Sequence, residues 1–240
     1  MKASYPKFLT RLVGARLSRP QLYRLQAVVN HLKLGRWMAD HGFHCDRPLP
    51  DRWQVFDTVI ERVRDKRVLY LEFGVFKGRT TRYWSKRLRH PGARLDGFDS
   101  FEGLPEEWAG HPSGEIFNAG GSIPIIDDPR VRFFEGWFDQ TLPGYVLPEH
   151  ETLVLIMDAD LYSSTSCVLH HLRPSIGPGT FIYFDELNHV EHEPRAFDEF
   201  MQQAALEFEL VAADRTLTYA FFECAGYGDR SGCKEPIQQG

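Results

Sequence analysis

The sequence predicts a Rossmann-like α/β fold, a mostly parallel sheet flanked by helices, with a helical arm ahead of it. Three observations predict it. The stretch from Arg67 to Thr81 reads as a short apolar strand, a turn with glycines at 74 and 78, and a polar helix start. That order brings backbone close to a small ligand at the carboxyl edge of a parallel sheet. Glycine tolerates positive φ there, and the helix start offers unpaired N–H groups. Next, Asp99 stands 21 residues beyond Gly78, at the end of a second strand-like run, Leu95 to Phe98. An acidic side chain there suits the two hydroxyls of a ribose. Last, strands alternate with helices as far as residue 208, and a hairpin follows.

Residues 1–36 carry eight cations (Lys2, Lys7, Arg11, Arg16, Arg19, Arg24, Lys33 and Arg36) and no Asp or Glu. Leu9, Leu12, Val13 and Leu17 fall at helical spacing, as do Leu22, Leu25, Val28, Val29 and Leu32, so two helices broken at Pro20 are expected. A basic face over an apolar stripe packed on the main domain, a dimer arm, a lid, or a contact with an anionic membrane all fit. Residues 41–50 read as a linker. A helix over 53–63 then leads into the first strand, Val68 to Leu71, and a crossover helix runs from Thr81 to Leu88, stopped by Pro91 and Gly92. Residues 102–130 lack periodicity, and a loop that long inside a compact domain is expected to wall an active site. Strands follow at 131–134, 153–157 and 180–184, with helices at 164–172 and 193–208. Strands at 210–213 and 217–222 make the closing hairpin, and a loose tail begins at 226.

With 240 residues and 42% hydrophobic content, one sizeable core is expected. The division reads as an arm and linker to residue 50, a domain over 51–225, and the tail. A net charge of −5 implies no general attraction to nucleic acid. Cysteines at 45, 167, 224 and 233 show no paired metal spacing, which suits reduced thiols in a cytoplasmic protein. No apolar run approaches the roughly 18 to 20 residues of a membrane span, and the N-terminus lacks the apolar core of a signal peptide.

The chemistry is expected beyond the carboxyl ends of the strands. Asp158 and Asp160 follow the fourth strand, and Asp185 and Glu186 follow the fifth. Carboxylates that converge repel unless a cation or proton intervenes. A hard divalent ion with oxygen ligands, Mg²⁺ above all, resolves this. The alternative is that these acids cap strands and helices, Asp160 ahead of Ser163 and Ser164 in particular.

Leu71-Glu-Phe-Gly-Val-Phe-Lys-Gly78 resembles the first motif of class I S-adenosylmethionine (SAM) methyltransferases, in the Glu-x-Gly-x-x-x-Gly form of catechol O-methyltransferase and the macrocin O-methyltransferase family. Gly97-Phe-Asp-Ser-Phe-Glu-Gly-Leu-Pro105 and Met157-Asp-Ala-Asp-Leu-Tyr-Ser-Ser-Thr165 are similar to two further macrocin motifs. With Gly177 to Asp185 they span roughly residues 68 to 223. Phe76 stands where an NAD-binding loop would have its middle glycine.

The resemblance implies a seven-stranded class I methyltransferase sheet with a C-terminal antiparallel hairpin. It implies SAM held by Glu72, Gly74 and Gly78 at the methionine end, by Thr80 near the carboxylate, and by Asp99 with Ser100 at the ribose. Trp137 and Phe138 would lie beside the adenine. Asp158, Asp185 and Glu186 would hold Mg²⁺, Glu186 departing from the family pattern by one methylene. The catechol enzyme's catalytic Lys is replaced by Leu161, which leaves Asp158 as base, with His111, His189 and His192 as other candidates. The expected function is Mg²⁺-assisted O-methylation of a small molecule with neighbouring oxygens, a sugar diol or catechol-like ring. A homo-oligomer through the arm is an expected assembly. A metal-dependent hydrolase and a non-catalytic nucleotide-binding module are the competing readings.

Overall fold

A computed structural model of the chain describes residues 7–108 and 111–228. Residues 1–6, with Lys2 of the basic arm, and residues 229–240, with Cys233 and most of the expected tail, lie outside the described residues. The chain divides into two compact units, one ending at Gly42 and the other beginning at Phe43.

The first unit is two helices, α1 (Lys7–Gly14) and α2 (Arg19–His41). Pro20 sits in the first turn of α2, where its missing N–H costs nothing. The Ser18 N–H donates to Gln21 Oε1 at 2.8 Å, and Gly42 closes the helix in the left-handed region. The break is therefore before Pro20 rather than at it.

The second unit is built on a seven-stranded sheet in the order β3-β2-β1-β4-β5-β7-β6. Its strands are β1 (Val68–Phe73), β2 (Arg94–Asp99), β3 (Val131–Glu135), β4 (Thr152–Met157), β5 (Phe181–Phe184), β6 (Leu206–Ala213) and β7 (Ala220–Tyr227). The first five are parallel, and β7 pairs antiparallel with both β5 and β6. This is the expected methyltransferase sheet. Between the strands lie α3 (Arg52–Val63), α4 (Arg79–Ser85), α5 (Phe138–Thr141), α6 (Tyr162–Leu172) and α7 (Glu193–Ala204). β1 and β4 are buried on both faces, which is why Val68 to Leu71 and Leu153 to Met157 read as apolar runs. On one face, Val55, Phe56, Val59 and Ile60 of α3 pack with Tyr70, Trp84, Ile156 and Tyr183. Asp96 inside β2 is wholly buried, with Arg132 and the Tyr145 hydroxyl donating to its carboxylate at 2.6 to 2.9 Å.

Three expectations change. Residues 43–50, expected as linker, pack with the sheet: Phe43 meets the Phe222 ring at 4.9 Å, and the Leu49 N–H donates to the Ala213 carbonyl at 2.8 Å. The last helix stops at Ala204 rather than 208, because Ala205 turns to φ +52° and the strand-like alternation Leu206-Glu-Phe-Glu takes over. The final strand starts at Ala220 rather than 217. The Asp214 carboxylate accepts backbone N–H groups from Thr216, Thr218 and Tyr219, so the turn runs on through those residues. β7 then continues to Tyr227, past the point where the loose tail was expected.

Between β1 and β4 the connections leave the sheet in opposite directions, and this opens a crevice at the strands' carboxyl ends. Gly74 sits on its floor with φ +94°. A Cβ there would lie 1.8 Å from the carbonyl oxygen of Asp158. Gly74→Ala should cost at least about 3 kcal/mol, by overpacking against backbone in a strained conformation. Thermal denaturation checks this, and a variant that melts with the wild type would show that the two strand ends are free to part.

Candidate active site

The crevice widens into a cleft of about 610 Å³. One end is made by the turn after β1. Gly74, Val75, Phe76 and Thr80 line it, with Asp99 and Ser100 from the end of β2. Phe76 holds φ +49°, an uncommon conformation for an aromatic residue. The Asp99 carboxylate fixes it there. Its Oδ2 accepts the N–H groups of Val75 and Phe76 at 2.7 Å each, and its Oδ1 accepts that of Phe101 at 2.7 Å. Asp99 thus lines the cleft and also clasps the turn. Gly78 caps α4 at φ +65°, beneath Pro124 of the long loop. Trp137 and Phe138 close this end.

Glu72 departs from its expected place. It is 1% exposed and is not among the residues lining the cleft. Its carboxylate accepts the Tyr70 hydroxyl at 2.7 Å and that of Thr81, so it braces the turn from below.

The other end is acidic. Asp158 and Asp160 follow β4, Asp185 and Glu186 follow β5, and all four line the cleft. Their environments push them toward the neutral form. Burial lifts Asp158 well above the usual carboxylate range, with Asp185 adding to the effect and Arg52 opposing it. Burial raises Asp185 too, against the pull of Arg52 and the Tyr183 hydroxyl. Asp160 is pushed up to about 7 by burial and Asp185, and Glu186 to about 8 by burial, Asp160 and Asp185. Asp160 also holds φ +59°, a strained conformation in the cleft wall.

Two residues that sequence reasoning missed organise this end. Arg52, the first residue of α3, places Nη2 at 3.4 Å from Asp185 Oδ1 and 3.7 Å from Asp158 Oδ2, and donates to Thr80 Oγ1 at 2.8 Å. Burial works against its charge, yet Asp185, Tyr183 and Asp158 outweigh it and keep the guanidinium protonated. Glu193 at the start of α7 is 0% exposed. Its two oxygens accept the N–H of Ala159 at 3.4 Å and that of Glu186 at 3.2 Å, joining the two acid-bearing turns. A helix-start acid before Pro194 reads from sequence only as a cap. Arg52 carries no sequence signal, because its acidic partners, Asp158 and Asp185, lie more than a hundred residues away.

The histidines stand back. His111, His189 and His192 are not among the cleft-lining residues. His111 pairs with Glu115 at 3.1 Å, and His189 approaches Glu186 Oε2 at 3.1 Å while stacking on Trp108. Burial lowers His192 below the usual imidazole value. The long loop contributes Gly103, Leu104, Pro105 and Phe117 to the wall, and its Glu106 accepts the Ser163 hydroxyl at 2.6 Å. Leu161, at the position of the catechol enzyme's Lys, is buried. Among the described residues no three His, Cys, Asp or Glu side chains gather closely enough to hold a metal as they stand.

Comparison with known proteins bears out the expected resemblance. The model of the macrocin-O-methyltransferase (TylF) family matches residues 125–221. The 8-demethyl-8-(2,3-dimethoxy-alpha-L-rhamnosyl)-tetracenomycin-C 4'-O-methyltransferase of Streptomyces olivaceus is 32% identical over 48% of this chain and 51% of its own length. The mycinamicin III 3''-O-methyltransferase of Micromonospora griseorubida is 35% identical over 50% of this chain and 54% of its own. The chain thus spans about half the length of the curated relatives it matches. Among solved structures, the O-methyltransferase NovP superposes with a TM-score of 0.52 at 26% identity, over 72% of this chain and 77% of that one. The calicheamicin methyltransferase CalS11 shares the fold, with a TM-score of 0.55 at 20% identity over 87% and 94%.

The buried Glu72 gives a pH signature. Burial pushes its carboxyl up to about 7 from 4.5, against the hydrogen bonds from Thr81 and Tyr70. Between those values the native protein keeps a proton that the unfolded chain has lost. Stability from this group therefore falls as pH rises from about 4.5 to about 7 and is level above. Glu72→Gln keeps an oxygen for both hydroxyls. It should flatten that fall and raise stability above pH 7, by on the order of 3 kcal/mol at most. Denaturation across this pH range checks it. A variant less stable than wild type at pH 8 would show that the charged carboxylate is what the turn requires.

Proposed function

We propose that this chain transfers the methyl group of SAM to a hydroxyl of an oxygen-rich small molecule, a sugar-bearing secondary metabolite being the acceptor class. The observation that carries the proposal is the division of one cleft into two chemically different ends. A glycine turn with Asp99, Ser100, Thr80 and Trp137 suits the cofactor, and Asp158, Asp160, Asp185 and Glu186 suit the acceptor hydroxyl. The family match over 125–221 supports the reaction class, and the rhamnosyl in one relative's name supports a sugar acceptor.

The turn and Asp99 would seat the ribose and the methionine portion, with Trp137 against the adenine. Seating both reactants in one cleft sets the acceptor oxygen in line with the S–CH₃ bond, and alignment of this kind supplies several kcal/mol. Asp158 is the proposed base. It lies beside the Gly74 backbone, at the boundary of the two ends.

In chemistry the donor set suits a hard divalent cation, since Asp158, Asp160, Asp185 and Glu186 all line the cleft and offer carboxylate oxygens alone. Because no three of them gather closely enough to hold a metal as they stand, the side chains would have to draw together around it. Asp158, Asp185 and Glu186 would hold Mg²⁺, which when bound would lower the pKa of the acceptor hydroxyl and orient it.

Calorimetry with SAM, with and without Mg²⁺, followed by turnover of a rhamnosylated acceptor, tests the function. SAM should bind in either condition and transfer should require Mg²⁺. Failure to bind SAM would remove the methyltransferase reading altogether. Asp158→Asn should lower kcat by about 10² to 10⁴ while SAM affinity stays within a few-fold. Equal kcat in that variant would move the base elsewhere. Glu186→Asp restores the family's shorter ligand and should keep activity or bind the ion more tightly. If Glu186→Asp and Glu186→Ala both behave as wild type, Glu186 is no ligand.

A further inference from the structure

A fixed cation already stands among the carboxylates assigned to the divalent ion. The Arg52 Nη2 faces Asp185 at 3.4 Å and Asp158 at 3.7 Å. Both contacts are longer than the 2.7 to 2.9 Å typical of a formed guanidinium–carboxylate hydrogen bond. The hydrogen bond this nitrogen does make goes to Thr80, at 2.8 Å. Its Nε is buried without a hydrogen-bond partner. The rings of Trp53, Phe56 and Tyr219 lie 5.3 to 5.6 Å from the guanidinium carbon. Charge, stacking and one hydroxyl therefore hold the group, rather than a completed fork of hydrogen bonds. A guanidinium held in this way has somewhere to go: the rings and Thr80 remain its partners if the carboxylates are taken from it.

We propose that Arg52 is the resident counter-cation of the Asp158–Asp185 pair, and that it competes with a divalent cation for that pair. The inference rests on the reading that these carboxylates take such an ion. The physical reason is repulsion between like charges a few ångströms apart inside a partly desolvated cleft. An ion close enough to bind Asp158 and Asp185 lies within that range of Nη2, so one of the two must withdraw. Arg52 then has two roles. Without the ion it keeps two converging carboxylates from driving the strand ends apart. With the ion it sets the affinity, making the site weaker than its carboxylate count suggests.

The test is binding of Mn²⁺ alone to the full chain, by calorimetry, in wild type, Arg52→Gln, Arg52→Met and Arg52→Lys. Cooperative melting and SAM binding verify that each variant is folded. Arg52→Met keeps the stem against the rings, should Arg52→Gln fail to fold. The two neutral variants should bind Mn²⁺ at least tenfold more tightly than wild type, and Arg52→Lys should stay within a few-fold of it. A folded neutral variant that binds Mn²⁺ no more tightly than wild type overturns the competition. If turnover is sensitive to chelator in that case, the ion keeps its place in the reaction and only the role of Arg52 falls. Tight Mn²⁺ binding by the neutral variants, with wild-type turnover unaffected by chelator, supports the competition and removes the ion from the reaction. No Mn²⁺ binding by any of the four proteins overturns both.

Discussion

The close approach of Gly74 to the Asp158 carbonyl is the constraint on which the second unit turns. β1 and β4 are neighbours whose chains leave the sheet in opposite directions, so their ends must pass within contact before diverging. The Asp158 N–H donates to the Phe73 carbonyl at 2.9 Å, and the Gly74 N–H donates to that of Phe98 at 3.0 Å. Those bonds stitch three strand ends together at one level. Everything in the cleft is placed relative to that level: the glycine turn on one side, the first acid on the other.

The second physical problem is charge. Asp158, Asp160, Asp185, Glu186 and Glu193 crowd the ends of two strands, and burial alone would drive their protons back on. The fold answers from several directions. Arg52 offers positive charge, the Tyr183 hydroxyl donates to Asp185 at 2.6 Å, and two backbone amides donate to Glu193. The remainder stays uncompensated, and converging carboxylates in that state draw in a cation or a proton. A burden on stability and an aptitude for the proposed chemistry thus share one origin.

The turn at the other end shows how a structural and a binding role share one side chain. Asp99 carries three backbone hydrogen bonds, two of which hold Phe76 in its uncommon conformation. Glu72 performs the matching service from inside the core, through Tyr70 and Thr81. The turn is thereby shaped in advance of any ligand, which spares a ligand the entropy of ordering it.

Much of the fold was legible in the sequence, because strands buried on both faces read as apolar runs and because glycine is demanded where backbones nearly touch. β1, β4 and the turn between Gly74 and Gly78 follow from that alone. Boundaries set by local competition were less legible. α7 and β6 meet at Ala205, where helical and alternating patterns overlap and only the backbone turn separates them. In the site, the sequence determined which acids follow which strands, since position after an apolar run is a local property. Where they point, and what stands between them, was decided by the tertiary structure. Arg52 reaches Asp158 and Asp185 only because α3 packs on the sheet face beneath Tyr183, and Glu193 reaches two turns only because α7 begins beside both. Charge pairing across more than a hundred residues is a property of packing, and no spacing in the chain encodes it.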